Sequence, residues 1–186
     1  MIIDDEHKKI YQKIHEQDEK HFEGRSLQFK YADTIKAIVD HTKSATILDY
    51  GCGKARRWLK DNYHKRLGLK RADIKLFDPG YKKYEVLPEG KFDGVICTDV
   101  LEHISEDCID DALDLIFEKA TKFVFFAINC GLAKKVFENG ENAHCLAKPP
   151  EWWNDKLRPY FDQDLIVNIQ YVIPKDPKLN IYGLVV

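Results

Sequence analysis

The sequence predicts an α/β fold built on a mostly parallel β-sheet, and three features of the chain lead to this prediction. Short runs of apolar, β-prone residues recur, and stretches with apolar residues at helical spacing separate them. Turns rich in glycine or proline stand between several of these runs. Strands that alternate with helices form parallel sheets with right-handed crossovers. We predict seven strands, at residues 46–50, 74–77, 84–87, 95–98, 123–128, 165–173 and 181–186.

Helices are predicted before the first strand and between the later ones. Ser26 and Ser105 are expected to cap two of them, and the proline pair at 149–150 marks the start of another. The predicted helices lie at residues 4–22, 27–41, 54–63, 105–120 and 151–161.

Length and composition indicate one globular domain. The 186 residues are 44% hydrophobic and 12% aromatic, which is enough to bury a core. We therefore predict a single domain over residues 1–186. A helical preface at 1–43 could act as a lid, and the α/β core occupies 44–186.

Charge and cysteine content argue against several functional classes. The net charge of -2 leaves no overall footprint for nucleic acid, and the basic stretch from Lys54 to Lys75 is interpreted as a solvated surface. Five cysteines form no C-x-x-C pair, so neither a disulfide framework nor a cysteine zinc site is expected. The first residues lack a signal-peptide pattern, and no apolar stretch approaches the ~20 residues of a membrane span. We predict a soluble, cytoplasmic protein.

The stretch from Ala45 to Ala55 carries the strongest functional signal. A short strand runs into Asp49-x-Gly51-x-Gly53, and a helix is expected to follow. Glycines permit positive φ and let a ligand lie against the backbone, while a helix start directs N–H groups at the same place. The chain has neither the third glycine of a dinucleotide fingerprint nor the Gly-Lys-Ser/Thr of a phosphate loop. A tight turn without a ligand is the alternative.

This arrangement resembles motif I of the class I S-adenosylmethionine-dependent methyltransferases, and the resemblance covers most of residues 27–186. It implies a Rossmann-like sheet of seven mostly parallel strands, with an antiparallel C-terminal strand and helices on both faces. The common pattern has one more glycine where this chain has Ala55. The resemblance implies that the amino-acid moiety of S-adenosyl-L-methionine is held by Asp49, Gly51, Cys52 and Gly53.

The second strand ends in an acid followed by a turn, Asp78-Pro79-Gly80. A carboxylate at this strand tip can accept hydrogen bonds from both hydroxyls of a ribose. We therefore predict that Asp78 binds the cofactor's ribose and that Pro79 lies beside it. An ordinary turn, in which the acid has only a local role, is the alternative.

Three polar residues follow the strand at 95–98, namely Asp99, Glu102 and His103. Ligands of parallel sheets bind beyond the carboxyl ends of the strands, so these side chains are expected beside the cofactor. The tract resembles motif IV of the same family and the turn after it. The resemblance implies cofactor contacts from Asp99, Val100 and Leu101. The alternative is that Glu102 and His103 merely cap and solvate the next helix.

A polar loop after the strand at 123–128 contains His144, and substrates enter α/β domains through loops of this kind. Its Asn-Ala-His and Pro-Pro-Glu-Trp-Trp runs resemble those of short bacterial and phage methyltransferase-like proteins. In the helical preface, Tyr11, His15 and Ser26 are candidate lid residues.

We predict S-adenosylmethionine-dependent methyl transfer to a small-molecule or sugar-like acceptor, with no metal ligand. The cofactor supplies the reactive carbon, and the protein must align the nucleophile and exclude water. A base is needed only if the acceptor starts as a hydroxyl or ammonium group. His144 and His103 are the candidate bases, with His144 preferred for substrate contact, and Glu102 could orient either of them.

Two alternatives stay open. Asp99, Glu102, His103 and His144 could surround a divalent ion that grips vicinal hydroxyls, which resembles the site of small-RNA 2′-O-methyltransferases. The charge balance argues against an RNA partner. The protein could instead bind S-adenosyl-L-methionine and transfer nothing. The acceptor and the oligomeric state do not follow from the sequence.

Overall fold

A computed structural model describes residues 2–17, 26–161, 164–173 and 182–185, the last segment by its backbone alone. The strands are β1 Ile47–Tyr50, β2 Ile74–Phe77, β3 Phe92–Thr98, β4 Ala120–Asn129, β5 Ile166–Val172 and β6 Tyr182–Val185. They form one sheet in the order β2-β1-β3-β4-β5-β6. Strands β1 to β5 are parallel, and β6 pairs antiparallel with β5. The predicted α/β class with a parallel sheet is confirmed.

The predicted count of seven strands is wrong for the described residues, because 84–87 forms no strand. The chain folds back on itself after β2. The Asp78 N–H donates to the carbonyl of Tyr84 (2.9 Å), and the Tyr84 N–H donates to that of Tyr81 (2.8 Å). These bonds occupy backbone groups that a sheet would otherwise pair. Val86 lies 80% exposed, outside the core.

Six α-helices are present among the described residues. They are α1 Asp5–Gln17, α2 Ala32–Thr42, α3 Arg56–Leu59, α4 Tyr63–Arg66, α5 Ile109–Lys119 and α6 Pro150–Leu157. Short 3₁₀ helices precede α2, follow β3 and extend α6. The last part of the first predicted helix, residues 18–22, lies outside the described residues.

Neither serine predicted as an N-cap serves as one. Helix α2 begins six residues after Ser26 and α5 begins four residues after Ser105. The Ser26 hydroxyl donates instead to Oδ2 of Asp99 (3.0 Å), and the Ser105 hydroxyl donates to Oδ2 of Asp4 (3.1 Å). Both hydroxyls thus donate to carboxylates that are distant in sequence, and among the described residues neither accepts a hydrogen bond from the backbone N–H groups at a helix start.

The helix predicted from Lys54 is replaced by α3 and α4, each four residues long. Ala55 and Asn62, which precede them, adopt left-handed φ angles of 54° and 52° and interrupt the helical path. A four-residue helix has little cumulative dipole, so the expected helix-end field at the glycine turn is not provided.

Apolar layers cover both faces of the sheet. On one face, Val124 and Phe126 of β4 belong to a core cluster that includes residues of α5 and α6. On the other face, Phe125 and Ile96 pack in a cluster that includes residues of α2, α3 and α4. Helices on both faces are therefore observed, as predicted. Among the described residues, none of the helices is long and apolar enough to cross a bilayer.

The strand order creates a crevice at one edge of the sheet. From β1 the chain moves to β2 on one side, and it then returns to place β3 on the other side of β1. The connections diverge at this switch point, and ligands of open parallel sheets bind beyond the carboxyl ends of the strands there. The two strong sequence signals lie here, since Gly51 directly follows β1 and Asp99 directly follows β3.

Candidate functional site

A cavity lies beyond the carboxyl ends of β1, β2 and β3. Its wall consists of loop residues that follow these strands and of residues from the helical preface, so segments distant in sequence meet around one space. The lining residues are Gly51, Gly53, Asp78, Pro79, Gly80, Asp99, Val100, His103, Ile104, Ile3, Tyr11, His15 and Ser26.

The glycine turn is fixed to the neighbouring strand and packed against the next loop. The N–H groups of Gly51 and Cys52 both donate to the carbonyl of Phe77, at 2.8 and 3.1 Å. Gly51 has a φ of 77°, and a Cβ there would lie 2.2 Å from Cγ2 of Val100. Only glycine meets both requirements, the positive φ and the close approach.

Ala55 occupies the position where the family pattern has a further glycine. Its φ of 54° and ψ of 31° are left-handed, and the residue is fully buried. A non-glycine residue costs roughly 1–2 kcal/mol in this region. The backbone therefore takes the shape that glycine favours, and the chain tolerates the strain of an alanine.

Asp49 lies beneath the glycine turn and does not line the cavity. Its carboxylate oxygen Oδ2 accepts a hydrogen bond from Nε1 of Trp58 at 2.6 Å, and the residue is 4% exposed. Burial raises the pKa of Asp49 to about 7; the Trp58 N–H opposes that rise, and the charge of Asp78 adds to it. The acid of the motif supports the turn from below.

Asp78 joins the ends of β1 and β2. One carboxylate oxygen accepts the N–H of Gly53 (2.7 Å), and the other accepts the N–H of Gly80 (2.9 Å). Burial raises the pKa of Asp78 to about 6, although the hydrogen bonds from backbone N–H groups favour the charged form. Asp78 lines the cavity, and a carboxylate has about four acceptor sites, so it has capacity left to accept a hydrogen bond from a ribose hydroxyl.

Asp99 stands at the tip of β3 in a strained conformation. Its φ of 59° is left-handed, and its N–H is held by the carbonyl of Ala127 (2.8 Å). Such strain persists where surrounding structure enforces it, and it is frequent at functional sites. Burial acts to raise the pKa of Asp99. The charge of His103 and side-chain hydrogen bonds, including one from the Ser26 hydroxyl, outweigh burial and hold this pKa below its ordinary value.

Glu102 is buried and does not line the cavity. Its oxygen Oε1 accepts the N–H of Asn129 at 2.9 Å, while Oε2 has no partner that meets hydrogen-bond geometry. Burial, and next the negative charge of Asp99, raise the pKa of Glu102 well above its ordinary value. Burial therefore favours the neutral form of Glu102, which lies behind the cavity wall, where it can support Asp99 but cannot touch a substrate.

His103 and His144 form an edge-to-face pair with ring centroids 4.7 Å apart. Nδ1 of His103 lies 2.7 Å from the carbonyl of Ala143, and Nδ1 of His144 lies 2.6 Å from that of Gly131. A carbonyl can only accept, so both Nδ1 atoms carry a proton, and in the neutral form of each ring the lone pair is on Nε2. Burial lowers the pKa of His103, although Asp99 opposes this.

Helix α1 contributes Tyr11 and His15 to the cavity wall. The Tyr11 hydroxyl donates to the carbonyl of His103 at 3.1 Å, and the His15 ring stacks on Tyr81 with centroids 4.6 Å apart. Burial, with the nearby charge of Lys54, lowers the pKa of His15 to about 4, so its ring is neutral at pH 7. That α1 moves to open and close the cavity remains a prediction.

The structure divides the predicted residues into two groups. Lining the cavity are Gly51, Gly53, Asp78, Pro79, Asp99, Val100 and His103. Behind the wall are Asp49, Cys52, Leu101, Glu102 and His144. His103, rather than the preferred His144, is thus on the wall. Ile3, Gly80 and Ile104 were missed; the Asp-Pro-Gly turn was a signal for Gly80, and nothing in the sequence indicated Ile3.

Fold and site together define an α/β protein with a cavity, lined by both polar and apolar residues, at the switch point of a parallel sheet. A search with protein-family models finds no match, and searches of curated proteins and of solved structures find no significant one. Function is therefore inferred from the residues and geometry of the site.

Proposed function

We propose that this protein is an S-adenosylmethionine-dependent methyltransferase that acts on a small-molecule or sugar-like acceptor. The observation that carries the proposal is the convergence of three strand ends on one cavity, with the glycine turn after β1, Asp78 after β2 and Asp99 after β3. The bare backbone at Gly51 fits a ligand that lies against the main chain. Asp78 offers acceptor lone pairs at the position where nucleotide-binding folds hold a ribose.

When bound, S-adenosyl-L-methionine supplies an activated methyl group. Gly51, Gly53 and Asp78 would hold it, and Asp49 supports the turn on which its amino-acid end rests. The remaining tasks of the chain are to orient the acceptor and to exclude water, and orientation alone contributes about 7–11 kcal/mol for well-placed reactants. Tyr11 and His15, which cover the cavity, are placed to exclude water.

His103 is the base that the geometry favours for an acceptor hydroxyl. Its Nδ1 proton is held by the carbonyl of Ala143, so its lone pair is on Nε2. The lowered pKa keeps the ring neutral and able to accept a proton at pH 7. His144 has the same tautomer and lies against it, where it can orient His103 or share the proton.

Calorimetry with S-adenosyl-L-methionine and its demethylated product tests the proposal. We expect both to bind wild-type protein with a Kd in the micromolar range. Asp78→Ala should weaken binding roughly 10- to 100-fold, because each hydrogen bond to a charged group contributes about 1.5–3 kcal/mol. Asp107→Ala, at an exposed acid away from the cavity, is the control and should bind normally. If neither ligand binds wild type, the proposal is wrong.

A specific observation favours a second candidate function, metal-assisted 2′-O-methylation. One donor atom from each of Asp99, His103 and His144 lies within 4.8 Å of the other two. Metal-binding histidines commonly donate their second N–H to a carbonyl, as both do here. Glu102, the fourth residue of that prediction, is not in the group and would act behind Asp99.

An RNA acceptor is the weaker part of this second candidate. In the basic stretch, the guanidinium groups of Arg57 and Arg66 both lie 4.4 Å from the ring centroid of Phe29. Arg57 is also paired with Asp61 at 2.9 Å. These side chains are engaged in local packing, which favours a sugar-like small molecule over a polynucleotide.

Manganese binding separates the two candidates. If the ion belongs to the mechanism, wild type should bind about one Mn²⁺ at this cluster, and Asp99→Asn should reduce the affinity by at least the roughly 10- to 100-fold that loss of an outer-shell partner costs. His41→Gln changes an exposed histidine on α2 and should have no effect. Paramagnetic resonance of the free ion measures both. Methyl transfer that is unchanged after exhaustive chelation would eliminate the metal-assisted mechanism.

A further inference from the structure

We propose a second metal site, for zinc or a similar transition-metal ion, formed by His7, Glu141 and Cys145. One donor atom from each residue lies within 4.8 Å of the other two. Imidazole nitrogen, carboxylate oxygen and thiolate sulfur are the donors that zinc takes in proteins. The site would join helix α1 to the loop between β4 and α6, two segments that are far apart in sequence.

The surroundings of the His7 ring support a cation site. Its Nε2 is buried and has no hydrogen-bond partner, and the side chain is 9% exposed. Oε2 of Glu141 lies 3.2 Å from this nitrogen, but the contact does not meet hydrogen-bond geometry. A buried polar atom without a partner costs about 1–3 kcal/mol. A metal ion bound to Nε2 and to Glu141 would remove that cost.

The other side of the His7 ring has the support expected of a metal ligand. Nδ1 lies 2.6 Å from Oδ2 of Asp4, so this nitrogen carries a proton, and Nε2 is the ring nitrogen that is left to bind a metal ion. Asp4 is itself held in place by the His7 N–H (2.8 Å) and the Ser105 hydroxyl (3.1 Å). A carboxylate that orients a ligating histidine in this way is a common second layer of zinc sites.

Cys145 supplies the sulfur. Its thiol has only a weak contact with the carbonyl of Glu102, at 3.9 Å. Burial, and next the charge of Glu141, raise the pKa of Cys145 to about 11, so the surroundings alone keep the thiol protonated. A divalent ion reverses this preference: the sulfur binds the metal as a thiolate and its proton passes to solvent.

The geometry needs a small closure to bind the ion. Bonds of about 2.0–2.3 Å in a tetrahedral site place donor atoms about 3.3–3.8 Å apart. Side-chain rotation of the half-exposed Glu141 and Cys145 can supply the difference. Water or an exogenous ligand would take the fourth position.

The site would hold the lid in place. Tyr11 lies one helical turn after His7, lines the cavity, and donates to the carbonyls of His103 (3.1 Å) and Ala143 (3.5 Å). A metal bridge from His7 to Cys145 would therefore fasten α1 to the same loop that carries His144. This inference concerns residues outside the cavity wall and does not depend on the proposed methyl transfer.

Cobalt(II) titration of the untagged full chain tests the site. We expect a thiolate-to-cobalt charge-transfer band in the near ultraviolet that saturates at about one equivalent. Cys145→Ser should abolish the band, and His7→Gln and Glu141→Gln should each reduce cobalt affinity by at least the roughly 10- to 100-fold that loss of an outer-shell partner costs. Cys130→Ser, at a partly buried cysteine outside the group, should keep it. Asp99→Asn should also keep it, which separates this site from the cavity cluster.

Zinc content is the second measurement. Protein purified without chelators should contain close to one zinc per chain, less in His7→Gln than in wild type, and zinc should raise the Tm of wild type reversibly. The His7 and Glu141 variants retain Cys145, so they keep the test valid if Cys145→Ser fails to fold. A wild-type chain with no band, or a band that survives in Cys145→Ser, overturns the proposal.

Discussion

Gly51→Ala should destabilise the protein far more than Gly90→Ala, and on the proposed function it should also abolish binding of S-adenosyl-L-methionine. The two glycines have almost the same φ, 77° and 82°, so an alanine meets the same backbone strain at both, roughly 1–2 kcal/mol. The surroundings differ. The new Cβ would lie 2.2 Å from Val100 at Gly51, whereas nothing lies within 4 Å at Gly90. Overpacking therefore adds about 1–3 kcal/mol at Gly51 alone.

Urea denaturation and calorimetry check this prediction together. The free energy of unfolding should fall by about 2–5 kcal/mol in Gly51→Ala and by about 1–2 kcal/mol in Gly90→Ala. On the proposed function, only Gly51→Ala should lose the ability to bind S-adenosyl-L-methionine. Equal losses of stability would show that the contact with Val100 relaxes easily. Normal cofactor affinity in a folded Gly51→Ala protein would contradict the role given to the turn.

Asp49→Asn should stabilise the protein without cofactor at pH 8, and the gain should disappear near pH 4. The pKa of Asp49 is about 7 in the folded protein, chiefly because of burial, against about 3.9 in an unfolded chain. Between these values the folded state binds more protons than the unfolded state, so stability falls as pH rises from about 4 through 7. Asparagine has no such charge and keeps an oxygen for Trp58.

The expected gain at pH 8 is up to about 4 kcal/mol, at about 1.4 kcal/mol per pKa unit. Urea denaturation of both proteins at pH 4.5, 6 and 8 (roughly spanning the window between the two pKa values) measures it. An identical pH dependence in both proteins would mean that Asp49 is ionised in the folded state. The proposed function adds a second expectation. Asp49→Asn should bind S-adenosyl-L-methionine more weakly, because the ammonium group of this cofactor would lose a nearby carboxylate.

Asp93→Asn is a control of opposite sign. Burial acts against the charge of Asp93, but N–H groups of Ala45 and Thr46 and the ammonium of Lys122 hold its pKa below the ordinary value. A lowered folded pKa gives stability that is present at neutral pH and is lost in acid. This variant should therefore be destabilised at pH 8, and the difference should shrink as the pH falls.

Much of the fold followed from local patterns. Strands β1, β2, β3 and β4 were predicted within a few residues, because buried runs between turns have a clear period and clear limits. The starts of α1 and α6 were predicted within one residue, but those of α2 and α5 were predicted poorly. The hydroxyls of Ser26 and Ser105 bind Asp99 and Asp4, and an N-cap rule has no knowledge of such distant partners. The segment 84–87 has strand-forming residues, but its backbone bonds are made within a loop.

The candidate site shows the same division. Gly51, Asp78 and Asp99 were predicted because each follows a strand, and parallel strands bring their carboxyl ends to one edge. Side-chain orientation did not follow from the sequence. Whether Glu102 faces the cavity or the core, and which histidine reaches the wall, depends on how the loop after β4 packs against the turn after β3.

The sequence by itself determined that this chain is an α/β protein with three polar strand ends, since strand period, glycine turns and acid spacing are local properties. Only the tertiary structure decided that Asp49 supports the turn from below, that His103 lines the cavity, and that His7 meets Cys145. The reason is physical. Burial and donor distance depend on contacts between segments up to 138 residues apart (145 minus 7), and local propensity has no information about them.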